Sequence, residues 1–333
     1  MTTIILSKTS QESIAHILEE KEHWAIRAAV AANRPLLVRG EPGIGKTQLA
    51  WAAAELLNRP LLSLTVDSNT EARDLLWSFD AVQRLAEAQV APSTTQDKEE
   101  LRELIAVKNF IMPGPIWFAF DWQSATEQLA KGQKPPARMP KKKWTQTEGV
   151  VVVIDEIDKA ESDVPNGLLE SLGYREFLPQ GWDVPIQLKE PTQPPLIVIT
   201  TNEERVLPDA FLRRCLVLPM QLPSISTTEE QDHFVEYLIK RGEAHFPKAS
   251  KIKITNPLNL ESEKMKSEPL PRAAAKLLLK DRQNAIRQHQ TPIPGQAEYL
   301  DFLRAIMCLA DSDDPQEVFQ KVQSFVFRKS TGT

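Results

Sequence analysis

The run Gly40-Glu41-Pro42-Gly43-Ile44-Gly45-Lys46-Thr47 sets glycine, lysine and a hydroxyl residue at the spacing G-x-x-x-x-G-K-[ST]. Glycines at these places let successive backbone N–H groups close around phosphate oxygens. Lys46 then reaches the terminal phosphates of a nucleotide such as ATP, the Thr47 hydroxyl ligates Mg²⁺, and Gln48 follows in the same turn. Two more candidates, Asp155 and Glu156, end the apolar run Val150-Val151-Val152-Val153-Ile154. A carboxylate at the end of a buried strand beside a phosphate loop suits the hydration shell of Mg²⁺. A second carboxylate one residue on suits the polarisation of an attacking water. A kinase has little use for that second group, so the pair favours hydrolysis; alone, it would be no more than a strand ending in solvent.

Two further patterns bear on the same chemistry. Ile197-Val198-Ile199-Thr200-Thr201-Asn202 is a buried-strand pattern that ends in small polar groups. Asn202 there either donates to the attacking water or the terminal phosphate, or serves only as a strand-ending turn residue. In Leu207-Pro208-Asp209-Ala210-Phe211-Leu212-Arg213-Arg214-Cys215, paired arginines lead into a short strand. Such guanidinium groups stabilise charge on a transferring phosphate, in the same chain or from a neighbouring subunit; the alternative is a basic pair at a solvated helix end.

These residues need elements to hold them. Leu36-Leu37-Val38 reads as a strand ahead of the glycine loop, and Leu49, Ala50, Ala53, Ala54, Leu56 and Leu57 recur behind it at helical spacing. Leu61–Val66, Val150–Ile154, Leu196–Ile199 and Leu216–Leu218 read as further strands, the last three as runs buried on both faces, Leu216–Leu218 being the shortest. Helices are expected over Gln11–Ala32 and Ala72–Ala88, and loops over Ala91–Glu100 and Gly132–Lys143. After Pro223 the strand signals stop. Helices are expected over Thr227–Phe246, Pro271–Gln290, Gln296–Ala310 and Pro315–Phe327, with the polar stretch Pro247–Pro269 a flexible link. The alternation predicts an α/β class: an αβα sandwich with a parallel sheet over residues 1–222, then an all-α lid over 223–333. No internal repeat is present.

Composition narrows the field. Of 333 residues, 41% are hydrophobic, which supports a packed core. No apolar run is long enough to span a bilayer, and Ile4-Ile5-Leu6 is too short for a secretory signal core. Cys215 and Cys308 stand far apart without metal spacing, which predicts free thiols and a cytoplasmic setting. The net charge of −5 argues against a protein that coats nucleic acid. Lys141-Lys142-Lys143 reads as a solvated loop.

The four motifs, in this order, resemble those of AAA+ ATPases, and more closely the bacterial MoxR-type branch. The residues that carry the resemblance are Arg34 to Thr47, Ile154-Asp155-Glu156-Ile157-Asp158-Lys159-Ala160, Thr201-Asn202-Glu203-Glu204-Arg205 and Leu207 to Arg214. It covers Trp24 to Pro223 well and the helical remainder more loosely. It implies a P-loop NTPase core and a helical lid. It further implies a homo-hexameric ring with ATP and Mg²⁺ at subunit interfaces. The implied roles are Walker A for Lys46 and Thr47, Walker B for Asp155 and Glu156, sensor 1 for Asn202, and an arginine finger from Arg213 or Arg214, with Arg214 favoured. Phe110-Ile111-Met112-Pro113-Gly114-Pro115-Ile116-Trp117 resembles the hairpin that this branch inserts facing the pore; its aromatics either press on a client chain or pack under the sheet. Asp163, Asn166 and Arg175 are implied at the subunit interface. The usual sensor-2 arginine is missing from Pro292–Glu298, which leaves Arg272. The branch implies a chaperone for a protein client, such as one with a von Willebrand A domain. The alternatives are a nucleic-acid motor or loader, and an ATP-gated assembly switch with low turnover.

Overall fold

The computed structural model describes residues 2–8, 13–94, 97–129, 133–189, 193–255 and 267–326. In chain order, β1 (Thr2–Lys8) and β2 (Ser13–Leu18) form an antiparallel hairpin with Ile4 opposite His16. The helix expected from Gln11 begins only at α1 (Glu20–Ala32). Ile14, Ile17 and Leu18 fit a helical period, but Ala15 to Leu18 are buried without a break, as in a strand covered on both faces. β3 (Leu36–Arg39), the glycine loop and α2 (Lys46–Leu57) follow as expected, then β4 (Leu61–Thr65).

The helix expected over Ala72–Ala88 is broken. A single 3₁₀ turn at Ala72–Leu75 leads to β5 (Trp77–Phe79), and only then does α3 (Ala81–Thr94) start. The loop expected from Ala91 is also corrected: α3 runs on to Thr94, and α4 (Lys98–Leu104) begins at Asp97, whose side chain caps the Glu99 N–H. β6 (Ile111–Pro113) pairs antiparallel with β5, Ile111 opposite Phe79, so α3 and α4 sit inside a hairpin. Next come α5 (Pro115–Phe120), α6 (Trp122–Gln128), β7 (Ala137–Arg138), β8 (Val151–Asp155), α7 (Asp163–Tyr174), β9 (Glu176–Phe177), β10 (Ile186–Gln187), β11 (Leu196–Thr201), α8 (Asp209–Leu212) and β12 (Leu216–Pro219). The rest is α9 (Thr228–His245), β13 (Lys253–Thr255), β14 (Ser267–Pro269), α10 (Leu270–Arg287), α11 (Gln296–Leu309) and α12 (Pro315–Val326). Within the expected flexible link, β13 and β14 pair antiparallel; residues 256–266 of that link lie outside the described residues.

The chain packs as two compact units. The sheet unit comprises Lys21–Arg39 and Ala53–Leu218; the helical unit comprises Met1–Glu20, Gly40–Ala52 and Pro219–Thr333. In the sheet unit the strand order is β12-β3-β11-β8-β4-β7. β3, β11, β8 and β4 run parallel, with Val198 opposite both Leu36 and Val153, and β7 closes the edge antiparallel to β4. Val151 to Ile154 and Val198 to Ile199 are fully buried, as strands covered on both faces must be, whereas β12, expected to be buried likewise, lies at the sheet edge with Val217 exposed. Trp117, Phe118, Phe120 and Phe211 fill the core beside this sheet. Trp117 meets Trp182 edge-on at 5.1 Å and donates its Nε1–H to Ser124 Oγ at 2.8 Å. Of the two readings of this aromatic segment, packing under the sheet is therefore the one realised by Trp117 and Phe118.

The helical unit has its own core, in which Phe234 and Leu238 of α9, Leu278 of α10, Phe302 of α11 and Phe319 of α12 are buried together. A capping box starts α9: Thr227 Oγ1 accepts from the Glu230 N–H, and the Glu230 carboxylate accepts from the Thr227 N–H. β2 packs on α9, and the hairpin is tied down where Glu19 meets Arg241 at 3.0 Å.

Candidate functional site

In the sheet unit the chemistry gathers at the carboxyl ends of β8 and β11, which are neighbours. Thr200 Oγ1 donates to Asp155 Oδ1 at 2.5 Å and accepts from the Glu156 N–H at 2.9 Å, so one hydroxyl fixes both carboxylate residues. Glu156 takes a left-handed backbone conformation, φ 61°, which turns the chain sharply after the strand. Its carboxylate accepts from Asn202 Nδ2 at 3.3 Å and from Lys159 Nζ at 2.5 Å. The Lys159 ammonium is held above its ordinary titration range by its hydrogen bond to Glu156. Asp155, Glu156 and Asn202, three residues singled out in the sequence, are thus brought together.

Asp158 has no assigned role in the sequence reading, although it stands in the quoted motif. Its side chain is 2% exposed, and its Oδ2 accepts from the backbone N–H groups of Asn202 at 3.1 Å and Glu204 at 2.9 Å. Its buried Oδ1 has no partner among the described residues. Asp158 therefore stitches the turn after β8 to the turn after β11 and sets where Asn202 stands. A third carboxylate, three residues after the strand end, was the only sign of this in the sequence.

Arg213 and Arg214 do not join this cluster. They lie exposed in the turn between α8 and β12 and form no side-chain ion pair among the described residues; the Arg213 carbonyl accepts from Arg34 Nη1 at 3.2 Å. Asp163 opens α7, and Arg175 ends it at φ 58°. Lys141 pairs with Glu55 at 3.2 Å. Burial pushes the thiol of nearby Cys215 up to about 12.

In the helical unit the glycine loop is wound tightly. Gly43 and Gly45 have φ of 76° and 101°, conformations that favour glycine. A Cβ on Gly43 would come within 2.5 Å of Ala297 Cβ. Lys46 is 7% exposed and donates to the carbonyls of Gly40 at 2.7 Å and Glu41 at 3.0 Å. Ile44 is buried, Pro42 is exposed, and Thr47 and Gln48 lie half-buried in the first turn of α2. Arg272 pairs with Glu236 at 2.5 Å; the arginine that reaches the loop is Arg282, bound to Glu41. Sequence reasoning missed Arg282, which sits mid-helix in α10 without any motif around it.

A parallel sheet flanked by helices, a glycine loop opening a helix, and carboxylates at the end of an inner strand define a P-loop α/β nucleoside triphosphatase fold. The family described as AAA domain (dynein-related subfamily) matches residues 35–215, more than half of the chain, and the chain belongs to this family of AAA+ ATPases. No protein of curated function matches the sequence. Among solved structures, it is similar to NtrX from Brucella abortus in complex with ATP, at 13% identity and a TM-score of 0.50, covering 96% of this chain and 56% of that one. It is also similar to a mutant of RuvB from Thermotoga maritima, at 16% identity and a TM-score of 0.43, covering 92% of this chain and 68% of that one. The chain spans little more than half the length of NtrX, and the likeness bears on the fold alone. Among the described residues no helix is long and apolar enough to cross a membrane.

Proposed function

We propose that this chain is a Mg²⁺-dependent ATPase of the MoxR-type branch. In this reading it assembles into a homo-hexameric ring in the cytoplasm and remodels a protein client, such as one carrying a von Willebrand A domain. Nucleic acid is not the partner this reading favours. The functional division falls near Leu222, with residues 1–222 as the nucleotide-binding core and 223–333 as the lid. The observation that carries the reading is the cluster of Asp155, Glu156, Thr200 and Asn202 on adjacent strand ends, in a sheet whose β3 leads into the glycine loop.

The donor set fits the implied metal. Asp155 offers a carboxylate and Thr47 a hydroxyl, hard oxygen ligands of the kind Mg²⁺ takes together with substrate phosphates and water. When bound, Mg²⁺ neutralises charge on the phosphates. Lys46 and the loop amides bind and orient the phosphate chain. Glu156 takes the proton of the attacking water, and Asn202, which already contacts Glu156, orients that water or the terminal phosphate. Arg214, exposed and without an ion pair among the described residues, is suited to completing a neighbouring subunit's site.

Purified protein tests this directly. Lys46→Ala abolishes nucleotide binding, and Glu156→Gln binds ATP but does not turn it over, because water activation is lost while Asp155 is intact. Retained affinity in the first variant, or full turnover in the second, overturns the reading. A second reading, an ATP-gated assembly switch, draws on the pairing of Glu156 with Lys159, which occupies the proposed base. It predicts tight nucleotide binding with negligible turnover in the wild-type protein.

A further inference from the structure

Glu41 is the one carboxylate within the phosphate loop Gly40–Thr47. Both of its oxygens accept from Arg282 Nη2, at 2.8 and 3.1 Å. The same guanidinium donates through Nη1 to the Pro294 carbonyl at 2.9 Å. Pro294 stands just ahead of α11. The first residue of that helix, Gln296, donates to the Ile44 carbonyl at 3.4 Å and accepts from the Tyr237 hydroxyl at 3.1 Å. The next residue, Ala297, abuts Gly43. The loop is therefore gripped at residues 41, 43 and 44 by α10 and the start of α11, all within the helical unit.

The two ends of the ion pair are unequal. The Arg282 side chain is 9% exposed and that of Glu41 49%. A buried guanidinium needs its partners and stays where they are, while a half-exposed carboxylate on a loop moves with the loop. Lys46 holds the carbonyls of Gly40 and Glu41, and these are the bonds that an incoming phosphate must replace. Exchange of those bonds acts on the Glu41 backbone, and so on the carboxylate that Arg282 holds.

We propose that Arg282 is a positioning residue for the phosphate loop. Through Glu41 it keeps the loop in its binding curvature, and through Pro294 it passes phosphate occupancy to the start of α11. The ligand class is a nucleoside triphosphate, so the inference rests on the nucleotide-site reading above. Arg282 acts through Glu41, without touching the nucleotide.

The test uses the full chain, a fluorescent ATP analogue for affinity, and hydrogen exchange of the peptide covering residues 293–303 with and without the analogue. In the wild-type protein, binding raises protection of that peptide. Glu41→Gln and Arg282→Gln each weaken affinity about tenfold and abolish the nucleotide-dependent protection. The double variant is no weaker than either single one, because both remove one shared contact. Arg282→Lys, which keeps the charge and loses the fork, recovers part of the affinity. If Arg282→Gln fails to fold, Glu41→Gln still decides, since its side chain is half exposed. A double variant weaker by the product of the two single losses, or Glu41→Gln with wild-type affinity and protection, overturns the proposal. A wild-type chain that binds no analogue overturns the nucleotide-site reading with it, whereas a binding chain insensitive to Glu41 overturns this inference alone.

Discussion

Asp158→Ala is the sharpest test of how the sheet unit holds Asn202. The substitution removes a carboxylate that accepts two backbone N–H bonds, from Asn202 and Glu204. Hydrogen bonds to a charged group contribute about 1.5–3 kcal/mol each, which gives about 3–6 kcal/mol for the two. Part of that is offset, because the variant no longer buries a carboxylate with one oxygen lacking a partner. The expected net loss is about 2–4 kcal/mol of unfolding free energy. Asp158→Asn keeps an acceptor in the same place and gives up the charge, so the turn stays anchored and the loss is smaller than in Asp158→Ala. The functional effect differs in kind from the stability effect. With Asp158 gone, the turn carrying Asn202 loses its anchor, and the contact of Asn202 with Glu156 loses its fixed geometry. In the hydrolytic reading kcat falls about 10- to 100-fold while KM changes little, as for a group that acts on the water and not on the bound nucleotide. Urea unfolding followed by circular dichroism, run beside steady-state ATPase assays on both variants, provides the numbers. Asp158→Ala within about 0.5 kcal/mol of wild type would refute the stitching argument. A loss of kcat as large in Asp158→Asn as in Asp158→Ala would place the effect in the charge, not in the turn geometry.

Two further predictions concern residues outside that cluster. Mixing Arg214→Ala subunits with Lys46→Ala subunits restores part of the ATPase activity if Arg214 acts in trans, because some interfaces then carry both intact groups; no recovery at any mixing ratio refutes a trans role. Cys215, its thiol pushed to about 12 by burial, stays protonated in the folded protein at pH 8 and reacts with Ellman's reagent only on unfolding, while exposed Cys308 reacts at once. The sign of the linked stability follows: the unfolded thiol ionises near its ordinary 9.0 and the folded one near 12, so stability present below pH 9 declines as pH rises between them.

The parts of this protein legible in its sequence are those fixed by local pattern. Gly40 to Thr47 is legible because only certain residue types allow that winding, and β8 and β11 because unbroken β-branched runs have few other uses. What stayed hidden depends on pairing across the chain. Trp77–Phe79 lies in a stretch with helical periodicity, and it becomes a strand only because Ile111–Pro113 lies opposite. Ser13–Leu18 is a strand for the same reason, through its pairing with Thr2–Lys8. Arg282 looks like any solvated helix arginine until Glu41, 241 residues away in sequence, meets it. The aromatic run Ile116 to Phe120 shows apolar character without showing which surface receives it, and burial against the sheet decides that.

Each unit keeps its candidate reactive group partnered in the same manner, and this bears on the choice between turnover and a static switch. Lys46 rests on two loop carbonyls, and Glu156 rests on Lys159. Exchange of neutral carbonyls for anionic phosphate oxygens adds the attraction of opposite charges to bonds the Lys46 ammonium already makes to carbonyl dipoles, so the first partnership favours nucleotide entry. The second would have to block hydrolysis for the switch reading to hold. The side chains of Lys159 and Glu156 are 40% and 31% exposed, and an ion pair so open to solvent is screened and weak. A latch so weak does not hold turnover down by the orders of magnitude a non-hydrolysing switch requires. The pairing of Glu156 with Lys159 is therefore too weak to carry the switch reading alone. The arrangement fits a base that is released at modest cost when water and nucleotide arrive.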